Sequence, residues 1–216
     1  MPRELLAASL SAAEHERAAK FRSEQDRERW IVAHGAMRQI LARHAGIEPA
    51  ALVFEAQEHG KPRLADPKPE IPFSLTHTAG LALLAIAANG RIGVDAEFVR
   101  PLSDLQKLAE RFFAPAEAEE ILAMAEAAQP AAFFVCWTRK EAFLKGLGKG
   151  LHVPLDQFAV NVGPDEPPRL ISVGWQEPSE WHLSDLSELN LAATVATDLP
   201  VSRVRRFTFA RDLAPL

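Results

Sequence analysis

Three acidic residues and one lysine carry the chemistry that this sequence suggests. Asp95 and Glu97 lie two residues apart, and Glu141 is followed four residues later by Lys145. Carboxylate oxygens suit a hard cation such as magnesium, and the lysine adds a positive charge beside it. Together these groups could hold a pyrophosphate, while a spare carboxylate activates an attacking hydroxyl. Taken pair by pair, the same residues also fit two solvated acids and a surface ion pair.

The elements predicted around these residues would point them at one another. We predict a strand over residues 91–98, on which the two acids face the same side. A helix that begins near Pro130 would carry the glutamate and the lysine on one face. The run Gly146-Leu147-Gly148-Lys149-Gly150 follows, and glycines there let the backbone approach a ligand closely. A helix C-cap accounts for Gly146 but not for all three glycines.

The first half of the chain has helix signals followed by strand signals. Ser11 with Glu14 is a capping box, and a second helix is predicted from Ser23 to Gly46. Predicted strands then occupy residues 52–54, 73–77, 81–88 and 91–98, with an Asn89-Gly90 hairpin turn between the last two.

The second half repeats that order. Helices are predicted from Ser103 and Pro115, ahead of the helix at Pro130. The predicted strands are residues 158–162, 169–173, 181–183, 191–197 and 204–209. A weak similarity between the hairpin after Phe73 and the one after Trp181 indicates duplication. We therefore expect an α+β fold of two similar subdomains, residues 1–100 and 101–216, each a small antiparallel sheet packed with helices. The active site would lie at their seam.

Composition excludes several classes of protein. The chain has 216 residues and a formal net charge of -5, which argues against bulk nucleic-acid binding. Cys136 is the single cysteine, so no internal disulfide or cysteine-rich metal site can form, and we expect it in the core. The longest apolar run, residues 81–88, is too short to span a bilayer, and the start is unlike a signal peptide. We expect a cytoplasmic protein without a membrane or nucleic-acid partner.

Several motifs occur together in a family-like order. They are Gly60-Lys61-Pro62, Phe73 to Thr78, Gly93 to Glu97, Trp137 to Lys145 and Gly148 to Leu151. The chain resembles the 4′-phosphopantetheinyl transferases of the surfactin-synthetase-activating (Sfp-like) type, whose patterns are G-K-P, F-S-x-S-H-S, G-[IV]-D-x-E and W-x-x-K-E-A-x-x-K. Thr76 and Thr78 stand where the family has serines, and Ala96 replaces a larger apolar residue.

The resemblance implies a reaction and its participants. The phosphopantetheine arm of coenzyme A is moved to a serine of an apo acyl or peptidyl carrier protein, and adenosine 3′,5′-bisphosphate is released. Asp95, Glu97 and Glu141 would hold Mg²⁺, and Glu141, directly or through a metal-bound water, would remove the serine proton. Lys145 would stabilise charge on the leaving phosphate.

The resemblance also implies contacts with coenzyme A. His77 would bind the pyrophosphate, whereas Ser74 and Lys61 would touch the nucleotide end. Arg29 is the best candidate for the 3′-phosphate, and the match at Arg17 and Lys20 is looser.

Two other classes of function remain open from the residues alone. One is a metal-dependent pyrophosphate hydrolase that uses the same acids on a nucleotide cofactor. The other is a non-catalytic module that binds carrier proteins. Carrier docking would need a local patch, either Arg139, Lys140 and Lys149 or the residues around Phe112 and Phe113. A monomer is expected, because a duplicated chain can form the site by itself.

Overall fold

The computed structural model describes residues 3–65, 70–150, 153–175, 177–201 and 203–209. The chain folds into two compact units. The helical unit comprises Met1–Glu55, Pro62–Ile71 and Ser202–Leu216, and the sheet unit comprises Ala56–Lys61 and Pro72–Val201. The expected division into residues 1–100 and 101–216 stays a prediction, as does the duplication.

Three helices form most of the helical unit. They are α1 (Arg3–Ala8), α2 (Ala12–Ala19) and α3 (Glu24–Ala45). The predicted capping box is confirmed, because the Ser11 hydroxyl accepts from the Glu14 amide while the Glu14 carboxylate accepts from the Ser11 amide. Gly46 ends α3 at φ 67°, a left-handed conformation that glycine adopts without steric cost. Strands β1 (Phe54–Ala56) and β2 (Pro62–Leu64) pair with each other.

A buried ion pair joins the helices of this unit. Arg38 is 2% exposed, and its Nε lies 2.6 Å from the Glu14 carboxylate. Burial by itself would raise the pKa of Glu14, but contacts from His34 and Ser11 and the charge of Arg38 lower that pKa to about 2. Glu14 therefore caps one helix and neutralises a buried cation on another.

The sheet unit has seven strands and three α-helices among the residues described. The strands are β3 (Phe73–Thr78), β4 (Leu81–Ile86), β5 (Ile92–Phe98), β6 (Phe158–Val160), β7 (Leu170–Val173), β8 (His182–Asp185) and β9 (Leu191–Thr197). The helices are α4 (Leu105–Phe112), α5 (Pro115–Ala123) and α6 (Gln129–Leu147). The predicted α+β class is therefore confirmed. No helix that the structure describes combines the length and apolar character required to cross a bilayer.

Strand pairing differs from the predicted hairpin at Asn89-Gly90. Strand β4 pairs with β3, whereas β5 pairs antiparallel with β9, which also pairs with β8. Five consecutive residues of β5 are buried, so this strand needs cover on both faces. Turn residues report only local geometry and cannot identify a pairing partner a hundred residues away.

Two other boundaries were predicted incorrectly. Helix α4 starts at Leu105 after Asp104, without a side-chain cap, so the predicted cap at Ser103 is wrong by one residue. Residues 203–208 form no strand, contrary to the prediction for residues 204–209. All six are exposed, so their alternating pattern has no buried face to stabilise a strand.

Helix α6 crosses strand β5 at very short range. A Cβ atom on Gly93 would overlap the Ala142 carbonyl oxygen and would lie 2.9 Å from the Gly146 Cα. Gly146, a possible helix cap by its sequence, lies inside α6 against the Trp181 ring, and Gly148 is the cap at φ 73°. The two glycines at 93 and 146 allow a strand and a helix to touch backbone to backbone.

Candidate active site

The close crossing brings together side chains from β5 and α6. Lys145 Nζ lies 2.6 Å from Asp95 Oδ1, although the two residues are 50 positions apart in sequence. The Asp95 side chain is only 6% exposed, whereas that of Lys145 is 31% exposed. The ammonium therefore neutralises a buried carboxylate while part of the lysine still faces solvent.

Glu141 adds a second carboxylate next to this pair. Burial raises the pKa of Glu141, the negative charge of Asp95 raises it further, and the positive charge of Lys145 acts in the opposite direction. Within the described residues, Glu141 Oε1 and Asp95 Oδ2 are both buried without a hydrogen-bond partner. Each oxygen can therefore accept from a bound proton donor or bind a cation.

Glu97, the third predicted acid, lies at the more exposed end of the site. The Thr78 hydroxyl donates to Glu97 Oε2 over 2.9 Å, and the Arg100 guanidinium is 3.9 Å from the same oxygen. The side chain of Glu97 is 30% exposed.

The donor set fits a magnesium ion, although the side chains are not gathered around a metal position. In the described parts of the chain, no group of three His, Cys, Asp or Glu side chains has a metal-binding arrangement. Lys145 supplies the positive charge at Asp95 Oδ1 instead. The two buried oxygens without partners still need a positive charge or a donor, and hard carboxylate oxygens are the ligands that Mg²⁺ prefers.

Two residues predicted to contact coenzyme A lie on β3. Ser74 is buried, and its hydroxyl accepts from the Val94 amide over 3.1 Å, so it joins β3 to β5. His77 is exposed, and strand alternation places it on the opposite face from Thr76.

Lys61 has a structural position next to the crossing of β5 and α6. Its Nζ donates to the Ile92 carbonyl over 2.8 Å and to the Gly146 carbonyl over 3.2 Å. The ammonium thus links the strand to the helix on either side of the Gly93 contact. Leu151, the last residue of the glycine-rich motif, lies outside the described residues.

The predicted 3′-phosphate contacts belong to the helical unit. Arg29 is exposed on α3, 3.8 Å from Asp26. Arg17 stacks over the Trp30 ring at 5.6 Å, and Lys20 is the exposed C-cap of α2.

The basic docking patch was predicted incorrectly at two of its three residues. Arg139 is 2% exposed and donates to the carbonyls of Asn161, Gly163 and Glu166. Lys140 is fully buried, 2.7 Å from Glu117. Both cations lie on the core side of α6, because their carbonyl and carboxylate partners replace the water lost on burial.

The pairing of Glu117 with Lys140 was missed by sequence reasoning. Lys140 also donates to the Leu155 and Phe158 carbonyls, while Glu117 accepts from the Ala114 and Val160 amides. The signal available was the N3 position of Glu117 in a helix with Pro115 at its start. It indicates a capping carboxylate but no distant lysine.

The alternative docking residues are only partly accessible. Phe113 is 2% exposed and packs on Phe133, whereas Phe112 is half-buried and meets the edge of Trp137. Lys149 is half-buried over the Trp175 ring at 5.4 Å.

Comparison with known proteins places this geometry in a family. Residues 91–199 match the 4'-phosphopantetheinyl transferase superfamily, and residues 3–89 match the 4'-phosphopantetheinyl transferase N-terminal family. The transferase HetI of Nostoc sp. is 38% identical over 88% of this chain and 79% of its own length. The transferase Sfp of Bacillus subtilis is 31% identical over 72% of this chain and 68% of its own length.

Among solved structures, a Bacillus anthracis holo-(acyl-carrier-protein) synthase in complex with CoA (3',5'-ADP) aligns with a TM-score of 0.41 and 22% identity. That alignment covers 49% of this chain and 92% of the synthase. The sequence matches alone establish the relationship, because the family model covers residues 91–199 and the relatives are at least 31% identical over most of the chain. The chain belongs to the 4′-phosphopantetheinyl transferase superfamily.

Proposed function

We propose that this chain transfers the phosphopantetheine arm of coenzyme A to a serine hydroxyl of an apo carrier protein. The observation that carries the proposal is the meeting of Asp95, Glu141 and Lys145 at the crossing of β5 and α6. In a member of this superfamily, that cluster supplies the base and the charge that transfer to a hydroxyl requires.

Glu141 is the proposed general base. Its pKa is raised by burial and by the neighbouring carboxylates, and a carboxylate of higher pKa accepts a proton more readily at neutral pH. The buried Oε1 has no partner within the described residues, so it is available to the incoming hydroxyl. As the serine oxygen bonds to phosphorus, its proton passes to this carboxylate.

Lys145 is the proposed stabiliser of the leaving group. The bond between that phosphorus and the bridging pyrophosphate oxygen breaks, and adenosine 3′,5′-bisphosphate leaves with the bonding electrons. An ammonium with 31% of its side chain exposed can reach a ligand while it remains next to Asp95. Positive charge there stabilises the negative charge that develops on the leaving oxygen.

Asp95, Glu97 and Glu141 are the residues proposed to hold Mg²⁺. When bound, the ion supplies neutralisation of the pyrophosphate charge. The chain's own contribution is to hold these three carboxylates on one strand face and one helix face next to each other.

Recognition of coenzyme A is proposed for four residues. His77 would bind the pyrophosphate, Ser74 and Lys61 the nucleotide end, and Arg29 the 3′-phosphate. Ser74 and Lys61 form hydrogen bonds with backbone groups of the sheet unit, so we propose that these two act mainly by shaping the site.

Mass spectrometry of carrier proteins tests the proposal. An apo-carrier should gain the mass of phosphopantetheine only when both coenzyme A and Mg²⁺ are present, and a panel of fatty-acid, polyketide and peptide-synthesis carriers identifies the substrate. Glu141→Gln and Asp95→Asn should abolish the gain while the circular dichroism spectrum stays unchanged. An unmodified panel would refute the proposal, and cleavage of coenzyme A without any carrier would favour the hydrolase instead.

We further propose a cytoplasmic monomer. The monomer is supported by a proposed acid, base and lysine cluster that comes entirely from one chain. Sedimentation of the active protein measures its mass in solution.

A further inference from the structure

Strands β3 and β5 present two matched pairs of residues to each other. Thr76 and Thr78 are two positions apart on β3, and Asp95 and Glu97 are two positions apart on β5, so each pair lies on one strand face. The Thr76 hydroxyl is 2.9 Å from Asp95 Oδ1, and the Thr78 hydroxyl is 2.9 Å from Glu97 Oε2. We call these two contacts the threonine ladder.

The hydrogen-bond direction in the ladder is determined by its partners. A carboxylate can only accept, so each threonine hydroxyl must donate to its acid. Lys145 Nζ lies 3.0 Å from the Thr76 oxygen, and an ammonium can only donate. The single hydroxyl hydrogen of Thr76 therefore goes to Asp95, while its oxygen accepts from the lysine.

The ladder restrains one oxygen of the buried acid and leaves the other without a partner. Asp95 Oδ1 receives both Thr76 and Lys145, whereas Oδ2 is buried and has no hydrogen-bond partner within the described residues. Threonine is stiff at χ1 because it is β-branched, and Thr76 is 6% exposed, so its hydroxyl has little freedom to turn away.

From this geometry we infer that Thr76 and Thr78 are positioning residues that orient the Asp95 and Glu97 carboxylates towards a cation. Each threonine holds one carboxylate oxygen and leaves the second oxygen to the ion. The inference rests on the proposed function, in which these two acids hold Mg²⁺. It assigns to the two threonines a role toward the acids, which the sequence motif alone does not.

Calorimetric titration of Mg²⁺ into the full chain with coenzyme A present tests the inference. Thr76→Val and Thr78→Val keep the shape of the side chain and remove its hydroxyl. We expect each variant to bind Mg²⁺ about 10- to 100-fold more weakly, as is found when partners of metal ligands are removed. Thr76→Ser keeps the donor and should restore most of the affinity. Thr197→Val is the matched control, because Thr197 is equally buried and donates to the Leu199 carbonyl rather than to an acid.

The outcomes separate this inference from the proposed function. If the valine variants bind Mg²⁺ as tightly as the wild type, the ladder has no positioning role, even though the transferase proposal stands. If the wild type itself binds no Mg²⁺, both are overturned. Thermal unfolding checks that each variant is folded, and Thr76→Ala replaces Thr76→Val if the latter is not. An equal loss in Thr197→Val would assign the effect to the sheet in general and refute the inference.

Discussion

Replacing Gly93 with alanine should push strand β5 away from helix α6 and impair the active site. The added Cβ would lie 2.9 Å from the Gly146 Cα and would overlap the Ala142 carbonyl oxygen. Carbon atoms pack without strain at about 3.5–4.0 Å, so the two backbones must separate by roughly 0.6–1 Å. These atoms cannot rotate away, because they are backbone and not the end of a flexible side chain.

The separation has a cost in stability and a larger cost in rate. Overpacking of this kind costs about 1–3 kcal/mol, which exceeds the roughly 0.5–1 kcal/mol that alanine gains over glycine within a strand. Asp95 lies on β5, and Lys145 lies on α6 at 2.6 Å from it, so the same shift separates the two charges. A misplacement of about 1 Å can reduce catalysis on the order of 100-fold.

Two measurements on Gly93→Ala check this prediction. The rate of phosphopantetheine transfer to a carrier should fall on the order of 100-fold, and urea unfolding should show the loss of stability. Gly174→Ala is the control, because its Cβ would meet only the Gln157 carbonyl oxygen at 3.7 Å, an ordinary contact. Wild-type rate and stability in Gly93→Ala would refute the idea that this close approach positions the site.

Three further predictions concern buried polar groups. Lys140→Met should destabilise the protein by about 3–5 kcal/mol in urea unfolding, because it leaves the Glu117 carboxylate buried without its cation; adding Glu117→Leu should recover part of that loss, and an equally unstable double variant would contradict this. The pKa of Glu14 in the folded protein, about 2, lies below its ordinary value of 4.5, so its stabilisation is present above pH 4.5 and is lost as the pH falls towards 2. Glu14→Gln should therefore cost about 2–3 kcal/mol at pH 7 and almost nothing near pH 2, and a difference that does not change with pH would argue against the ion pair. Ser74→Ala should lower stability by about 1–3 kcal/mol, because it leaves the Val94 amide buried without an acceptor, and an unchanged unfolding curve would show that this bond contributes nothing.

Features decided by neighbours in sequence were predicted from the sequence. The capping box at Ser11, the left-handed glycine at Gly46 and the helix start at Pro115 are all present. Each depends on contacts within one helical turn, so the local residues contain the whole signal. Cys136, predicted to lie in the core, is fully buried, and burial raises the pKa of its thiol.

Features decided by distant partners were not predicted. Sequence patterns paired β5 with the preceding strand, whereas its partner is β9. They placed Arg139 and Lys140 on a docking surface, whereas both are buried, with partners at residues 117 and 155–166. A charged residue is normally exposed unless the fold supplies its partner, and nothing in the local sequence identifies that partner.

The sequence by itself determined the family and the set of acids and lysine that could perform the transfer. It did so because the types of residue and their spacing carry that information. Only the tertiary structure decided that Thr76 donates to Asp95, and that Gly146 packs against Trp181 instead of ending a helix. Those contacts join residues from separate elements. Their existence depends on how closely β5 and α6 approach, and that distance is a property of the folded chain alone.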